Sequence, residues 1–190
     1  MEKVINRINI TQNGRIKVLI PIMKVFQINR AECELLNKEE DSNFVEMINA
    51  LKNHQILLGW YINDEMRECF NEHIRNQTLT VHELDPDHPI VTVTNKKNTQ
   101  AFINTTDVFG MDCYRIGTIE KTENLNCYET HNDAYNGLLK SKPMWPVPQI
   151  FDMLALVTNG THLRPPTLQE IKLGAWQALV AGAKRLLFYS

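Results

Sequence analysis

No stretch of this 190-residue sequence reaches the roughly 20 apolar residues of a membrane-spanning helix, so no membrane partner is expected. Met1 to Asn13 is polar and mixed, without the apolar centre of a signal peptide, which makes the cytoplasm the default compartment. A dense Lys/Arg block is also missing. With a formal charge of -2, nucleic acid is not an expected partner. GxGxxG and GxxxxGK(S/T) do not occur, which argues against a nucleotide-binding sheet, and no cofactor is expected. The six histidines are scattered, with no HExxH and no paired ligand spacing, so no metal site is expected either. There is no GxSxG elbow, no internal repeat and no low-complexity segment. The four cysteines, Cys33, Cys69, Cys113 and Cys127, form no CxxC pair. They read as four separate thiols, with one or two disulfides only in a secretory compartment. In such a compartment the Asn-x-Thr triplets at Asn9, Asn76, Asn104 and Asn159 would also acquire meaning.

What is present is an alternation of short apolar runs with longer amphipathic ones. Ile16–Ile22 follows the turn signal Asn13-Gly14 and reads as a strand. Between Asp41 and Lys52, apolar residues at Phe44, Val45, Ile48 and Leu51 have helical spacing. Ile56–Ile62 is a nearly continuous apolar run, as in a strand covered on both faces. Arg67–Glu83 reads as a helix that the two prolines of Leu84–Pro89 stop. Ile90–Thr94 and Asp107–Tyr114 read as strands, Asn98–Asn104 as a short helix or turn, and Tyr128–Leu139 as a helix. Trp145–Phe151 reads as a strand made irregular by Pro146 and Pro148. Thr167-Leu-Gln-Glu170 is a capping box opening a helix to Ala183, and Lys184–Ser190 reads as the last strand. Six strands alternating with five helical segments imply parallel strands joined by right-handed crossovers.

In such folds functional groups collect at the carboxyl ends of strands. Ile56–Ile62 runs into Asn63-Asp64-Glu65. Crowding of two carboxylates favours a proton on one of them, as a general acid needs; equally, one can cap the following helix while the other is solvated. Asp112, Tyr114 and Arg115 end another strand and suit a sugar hydroxyl, or an internal Asp–Arg pair. Gln149 offers both a donor and an acceptor. Trp60, Tyr61 and Trp145 can present a face to a sugar ring or simply fill a core, and Tyr189 closes the last strand.

These segments, LLGWYINDE (57–65), LDPDHPIVTVTN (84–95), TDVFGMDCYRIG (106–117), MWPVPQIF (144–151) and the stretch from Arg164 to Ser190, resemble glycoside-hydrolase-like TIM-barrel proteins in order and spacing. The resemblance implies an α/β fold, a (β/α)8 barrel with strands three to eight present, and residues 1–190 as one partial barrel domain. Lys17–Ile22 would be the third strand and Leu186–Ser190 the eighth. The first two strands, about 60 residues on typical barrel lengths, would lie upstream, and a signal peptide with them. The implied activity is hydrolysis of glycosidic bonds in a carbohydrate substrate. Glu65 would be the general acid/base and Asp64 its neighbour in the catalytic pair. Trp60, Asp112, Tyr114, Gln149, Trp145 and Tyr189 would be substrate-binding residues. Two departures stand out. Asp64 occupies a position where related glycosidases carry Asn, and the seventh strand carries Gln149 rather than a Glu nucleophile. The alternative is a catalytically inactive carbohydrate-binding barrel or a truncated pseudoenzyme.

Overall fold

The computed structural model describes residues 17–22, 28–29, 33–35, 42–65, 67–95, 99–116, 125–138, 140–152 and 164–189. The strands are β1 (Val18–Pro21), β2 (Ile28–Asn29), β3 (Glu34–Leu35), β4 (Leu57–Asp64), β5 (Ile90–Thr94), β6 (Val108–Cys113) and β7 (Val147–Pro148). The helices are α1 (Ser42–Leu51), α2 (Asn71–Leu84), α3 (Tyr128–Gly137) and α4 (Leu168–Val180). Short 3-10 turns occupy Glu68–Phe70 and Thr99–Phe102. Strands β1, β4, β5, β6 and β7 form one parallel sheet in that order, and β2 pairs with β3 antiparallel.

This sheet corrects the expected architecture. It has five strands in an incomplete α/β arrangement, not the six-strand portion of an eight-stranded barrel. The stretch expected to be the eighth strand is not a strand over its described residues, up to Tyr189. It touches its neighbour through two backbone bonds, Lys184 N–H to the Met144 carbonyl (3.3 Å) and Leu187 N–H to the Pro146 carbonyl (2.9 Å). Pro146 and Pro148 have no N–H to donate, so a continuous ladder cannot form beside them. The same prolines shorten β7 to two residues where seven were expected.

The chain divides into two compact units, residues 1–92 with 104–107, and residues 93–103 with 108–190. In the first unit β1 lies parallel to β4, pairing Ile20 with Trp60 and Pro21 with Tyr61. Helix α1 buries Phe44, Ile48 and Leu51, a stripe at helical spacing. Helix α2 buries Ile74, Thr78 and Val81 on one face. Each large apolar side chain so buried contributes roughly 1.5–3 kcal/mol. Gly59 in β4 is needed for close approach: a Cβ there would sit 2.3 Å from the Pro89 carbonyl oxygen, which accepts a bond from Trp60 N–H. A disulfide joins Cys33 to Cys69.

In the second unit β6 and β7 pair in parallel, matching Asp112 with Val147 and Cys113 with Pro148. Helix α3 buries Thr130, His131 and Ala134. The expected capping box opens α4: Glu170 N–H donates to Thr167 Oγ1, and Thr167 N–H donates to Glu170 Oε2. Arg164 reinforces it with a two-pronged contact to Glu170 at 2.8 and 2.6 Å. Together Arg164 and Thr167 outweigh desolvation and hold the Glu170 carboxyl down at about 2. A second disulfide, Cys113–Cys127, ties the end of β6 to the start of α3. The four cysteines, expected as separate thiols, are therefore all paired. Their scattered spacing gave no hint of this, because the fold sets Cα–Cα separations of 6.0 Å across 36 and 14 residues.

Candidate strand-end sites

The first unit carries the Asp64–Glu65 pair. Asp64 is the last residue of β4, and Glu65 follows at once. Both are half-buried, while Asn63 before them is fully buried. The Tyr61 hydroxyl donates to Asp64 Oδ1 at 2.8 Å, which fixes the orientation of that carboxylate. Glu65 has a φ of 52°, in the left-handed region. A non-glycine residue there costs about 1–3 kcal/mol, and such strain gathers at functional sites. Cys33 and Lys140 share the region, but among the described residues Glu65 alone combines it with a carboxylate at a strand end. Trp60 sits four residues before Asp64 and is fully buried. Its indole N–H donates to Asp85 Oδ2 at 2.8 Å, so its ring lies in the core of this unit.

Asp85 anchors a small buried network of its own. Besides Trp60 it meets the His88 ring at 2.9 Å and accepts from Asp87 N–H at 3.2 Å. Burial pushes its carboxyl up, but the bonds from His88, Trp60 and Asp87 together bring it below the usual aspartate value.

The other predicted site residues lie in the second unit. Asp112, near the end of β6, is buried. Gln149 follows β7 and is committed to the backbone. Its Oε1 accepts from Ile116 N–H at 3.0 Å, and its Nε2 donates to the Ile116 carbonyl at 2.9 Å. Tyr114 packs edge-on against Phe151 at 4.9 Å between ring centroids, and Phe151 against Tyr189 at 5.8 Å. These aromatics form one cluster in which Tyr189 is about half exposed. Trp145 is buried, with the Arg185 guanidinium 5.1 Å above its ring.

Close to Gln149 is a cavity of about 20 Å³, room for about one water. Its lining includes Cys113, Cys127, Gln149, Glu170 and His131. His131 is 2% exposed, and its Nδ1 has no hydrogen-bond partner among the described residues. Burial alone drives its imidazole down to about 4, so it is neutral near pH 7. Sequence reading did not single out His131; the one available signal is its place on the Cys127–His131–Ala134 face of α3. Tyr61 carried no signal as a partner of Asp64, because strand alternation puts residues three apart on opposite faces. Among the described residues no group of three or more His, Cys, Asp or Glu could hold a metal ion, and no helix is long and apolar enough to cross a membrane.

No protein-family model and no curated protein matches the chain. Solved glycosidases share its fold. The β-galactosidase of the Antarctic haloarchaeon Halorubrum lacusprofundi matches over 99% of this chain with a TM-score of 0.69 and 10% identity. The β-galactosidase of the psychrophilic Marinomonas ef1 matches over 76%, with a TM-score of 0.59 and 12% identity. The β-D-glucuronidase of Dictyoglomus thermophilum matches over 83%, with a TM-score of 0.51 and 18% identity. This chain spans 45%, 35% and 32% of those three chains. At such identities the likeness is one of fold.

Proposed function

We propose that this chain carries glycoside-hydrolase chemistry on a carbohydrate, with Glu65 as the general acid/base and Asp64 as the carboxylate that positions the sugar beside it. The observation that carries the reading is the pair itself. Two adjacent carboxylates stand at the carboxyl end of a parallel strand, Glu65 on strained backbone and Asp64 held by Tyr61. The names of the solved structures that share the fold, β-galactosidase and β-glucuronidase, support a carbohydrate as the ligand.

In this chemistry Glu65 gives its proton to the glycosidic oxygen as the C–O bond breaks. Water then delivers hydroxide to the anomeric carbon and returns a proton to Glu65. Chromogenic aryl β-galactosides and β-glucuronides test it. Glu65→Gln should lower kcat by about 10²–10⁴-fold on any substrate turned over, the usual worth of a positioned acid/base. Tyr61→Phe should cost less, since it frees the Asp64 carboxylate without removing it. A Glu65→Gln rate equal to that of the unaltered chain would refute the assignment.

One observation favours a second reading, carbohydrate binding without hydrolysis. Gln149 stands where the resemblance expects a carboxylate nucleophile, and both ends of its amide are bound to Ile116. Binding of a sugar, with no hydrolysis across the panel, would decide for this reading.

A further inference from the structure

The acceptor triplets Asn76-Gln77-Thr78 and Asn104-Thr105-Thr106 play no part in the chemistry above. Those at Asn9 and Asn159 lie outside the described residues. Asn76 is exposed on α2, and Asn104 is exposed in the turn that leads into β6. The threonines of both triplets point inward. Thr78 Oγ1 donates to the Thr105 carbonyl at 2.7 Å and lies 3.0 Å from the Ile74 carbonyl. Thr106 Oγ1 donates to the Ile90 carbonyl at 2.8 Å. The turn around Asn104 is thus anchored from below while its asparagine faces solvent. That is the arrangement an attached oligosaccharide requires: a bulky polar group needs an outward side chain on a surface turn, and no proline intervenes in the triplet.

A separate observation bears on compartment. All four cysteines are paired, as Cys33–Cys69 and Cys113–Cys127. Paired cysteines of this kind persist where the surroundings are oxidising, which in eukaryotes is the compartment where asparagine-linked sugars are attached. Turn geometry, exposure and disulfide pairing therefore point the same way.

We infer that Asn104 carries an asparagine-linked oligosaccharide. Its Nδ2 forms a bond to the anomeric carbon of the first sugar of a lipid-linked oligosaccharide donor. The bond from that carbon to the donor's pyrophosphate breaks, the lipid pyrophosphate leaves with the electron pair, and an amide proton is released. The inference is independent of the hydrolase reading, since it uses neither Asp64 nor Glu65.

Protein isolated from the cells that make it provides the test. It is treated with an amidase that releases asparagine-linked glycans, in heavy-oxygen water, and digested for mass spectrometry. The peptide containing Asn104 should then carry an aspartate labelled with heavy oxygen, and before treatment it should be missing at its unmodified mass. Asn104→Gln should migrate one step faster on a denaturing gel than the unaltered chain, and Thr106→Ser, which keeps both the hydroxyl and the acceptor triplet, should migrate with the unaltered chain. An unmodified Asn104 peptide in the untreated protein overturns the inference. That measurement needs no variant to fold.

Discussion

Acidification is the perturbation that most directly tests the second unit's interior. His131 is 2% exposed, and burial holds its imidazole at about 4 instead of the ordinary 6.5. In the unfolded chain the same ring takes up its proton near 6.5. Between those values the unfolded state binds one more proton than the folded state, so stability falls as pH drops. The loss begins near pH 6.5 and is complete near pH 4, where both states are protonated. At about 1.4 kcal/mol per pH unit the gap corresponds to about 3 kcal/mol, a large share of a domain's typical 5–15.

Other groups act mainly elsewhere on the pH scale. Asp85 and Glu170 are held low in the folded state, so their stabilising contributions are present above their unfolded values of 3.8 and 4.5 and are lost only below them. His73 is also lowered by burial and adds a loss in the same direction as His131. The difference between the unaltered chain and His131→Leu therefore isolates His131. Urea unfolding should show the unaltered chain losing about 3 kcal/mol more than His131→Leu across this window. Near pH 7 the variant should be about as stable, because leucine replaces a ring whose Nδ1 has no partner among the described residues. An equal pH slope in both proteins would refute the reasoning.

The remaining expectations concern covalent and packing constraints. Alkylation in denaturant without reductant should label no thiol, and four reactive thiols would contradict the observed pairing. Cys127→Ser should cost about 3 kcal/mol, the chain-entropy value for the loop between Cys113 and Cys127, and Cys69→Ser about 4 for the longer loop. Reversible melts with and without reductant measure both. Gly59→Ala drives a methyl to 2.3 Å from the Pro89 carbonyl and should destabilise by about 1–3 kcal/mol in urea. A change within about 0.5 kcal/mol would mean that the β4–Pro89 approach is looser than described. Asp85→Asn should cost about 1–3 kcal/mol, because one acceptor oxygen is lost from a buried set shared by Trp60 and His88. Indole fluorescence follows it through Trp60.

Elements whose whole signal is local were legible. The β5 strand was read from the β-branched run IVTVT alone, and all five of its residues are buried. The α4 capping box was read from Thr167 and Glu170 alone, because a cap needs only neighbours in sequence. Features that depend on distant partners were not. Cysteine pairing is one of these. Sheet closure is another, since it needs a ladder that Pro146 and Pro148 interrupt. The role of Trp60 was also hidden. On a strand covered on both faces, alternation does not say which aromatic meets solvent, and Trp60 is held in the core by Asp85, 25 residues away.

The candidate site divides along the same line. That Asp64 and Glu65 would end β4 followed from the apolar run before them. That Glu65 would take the left-handed conformation did not, since that region favours glycine and asparagine. If the turn after β4 served connection alone, glycine at position 65 would make it without the strain. On the proposed reading, a carboxylate carries the strain there because it serves as the acid/base. Glu65→Gly should then stabilise the chain, because strain is relieved while any hydrolysis is lost. A Glu65→Gly chain that is less stable would instead assign Glu65 to holding the fold.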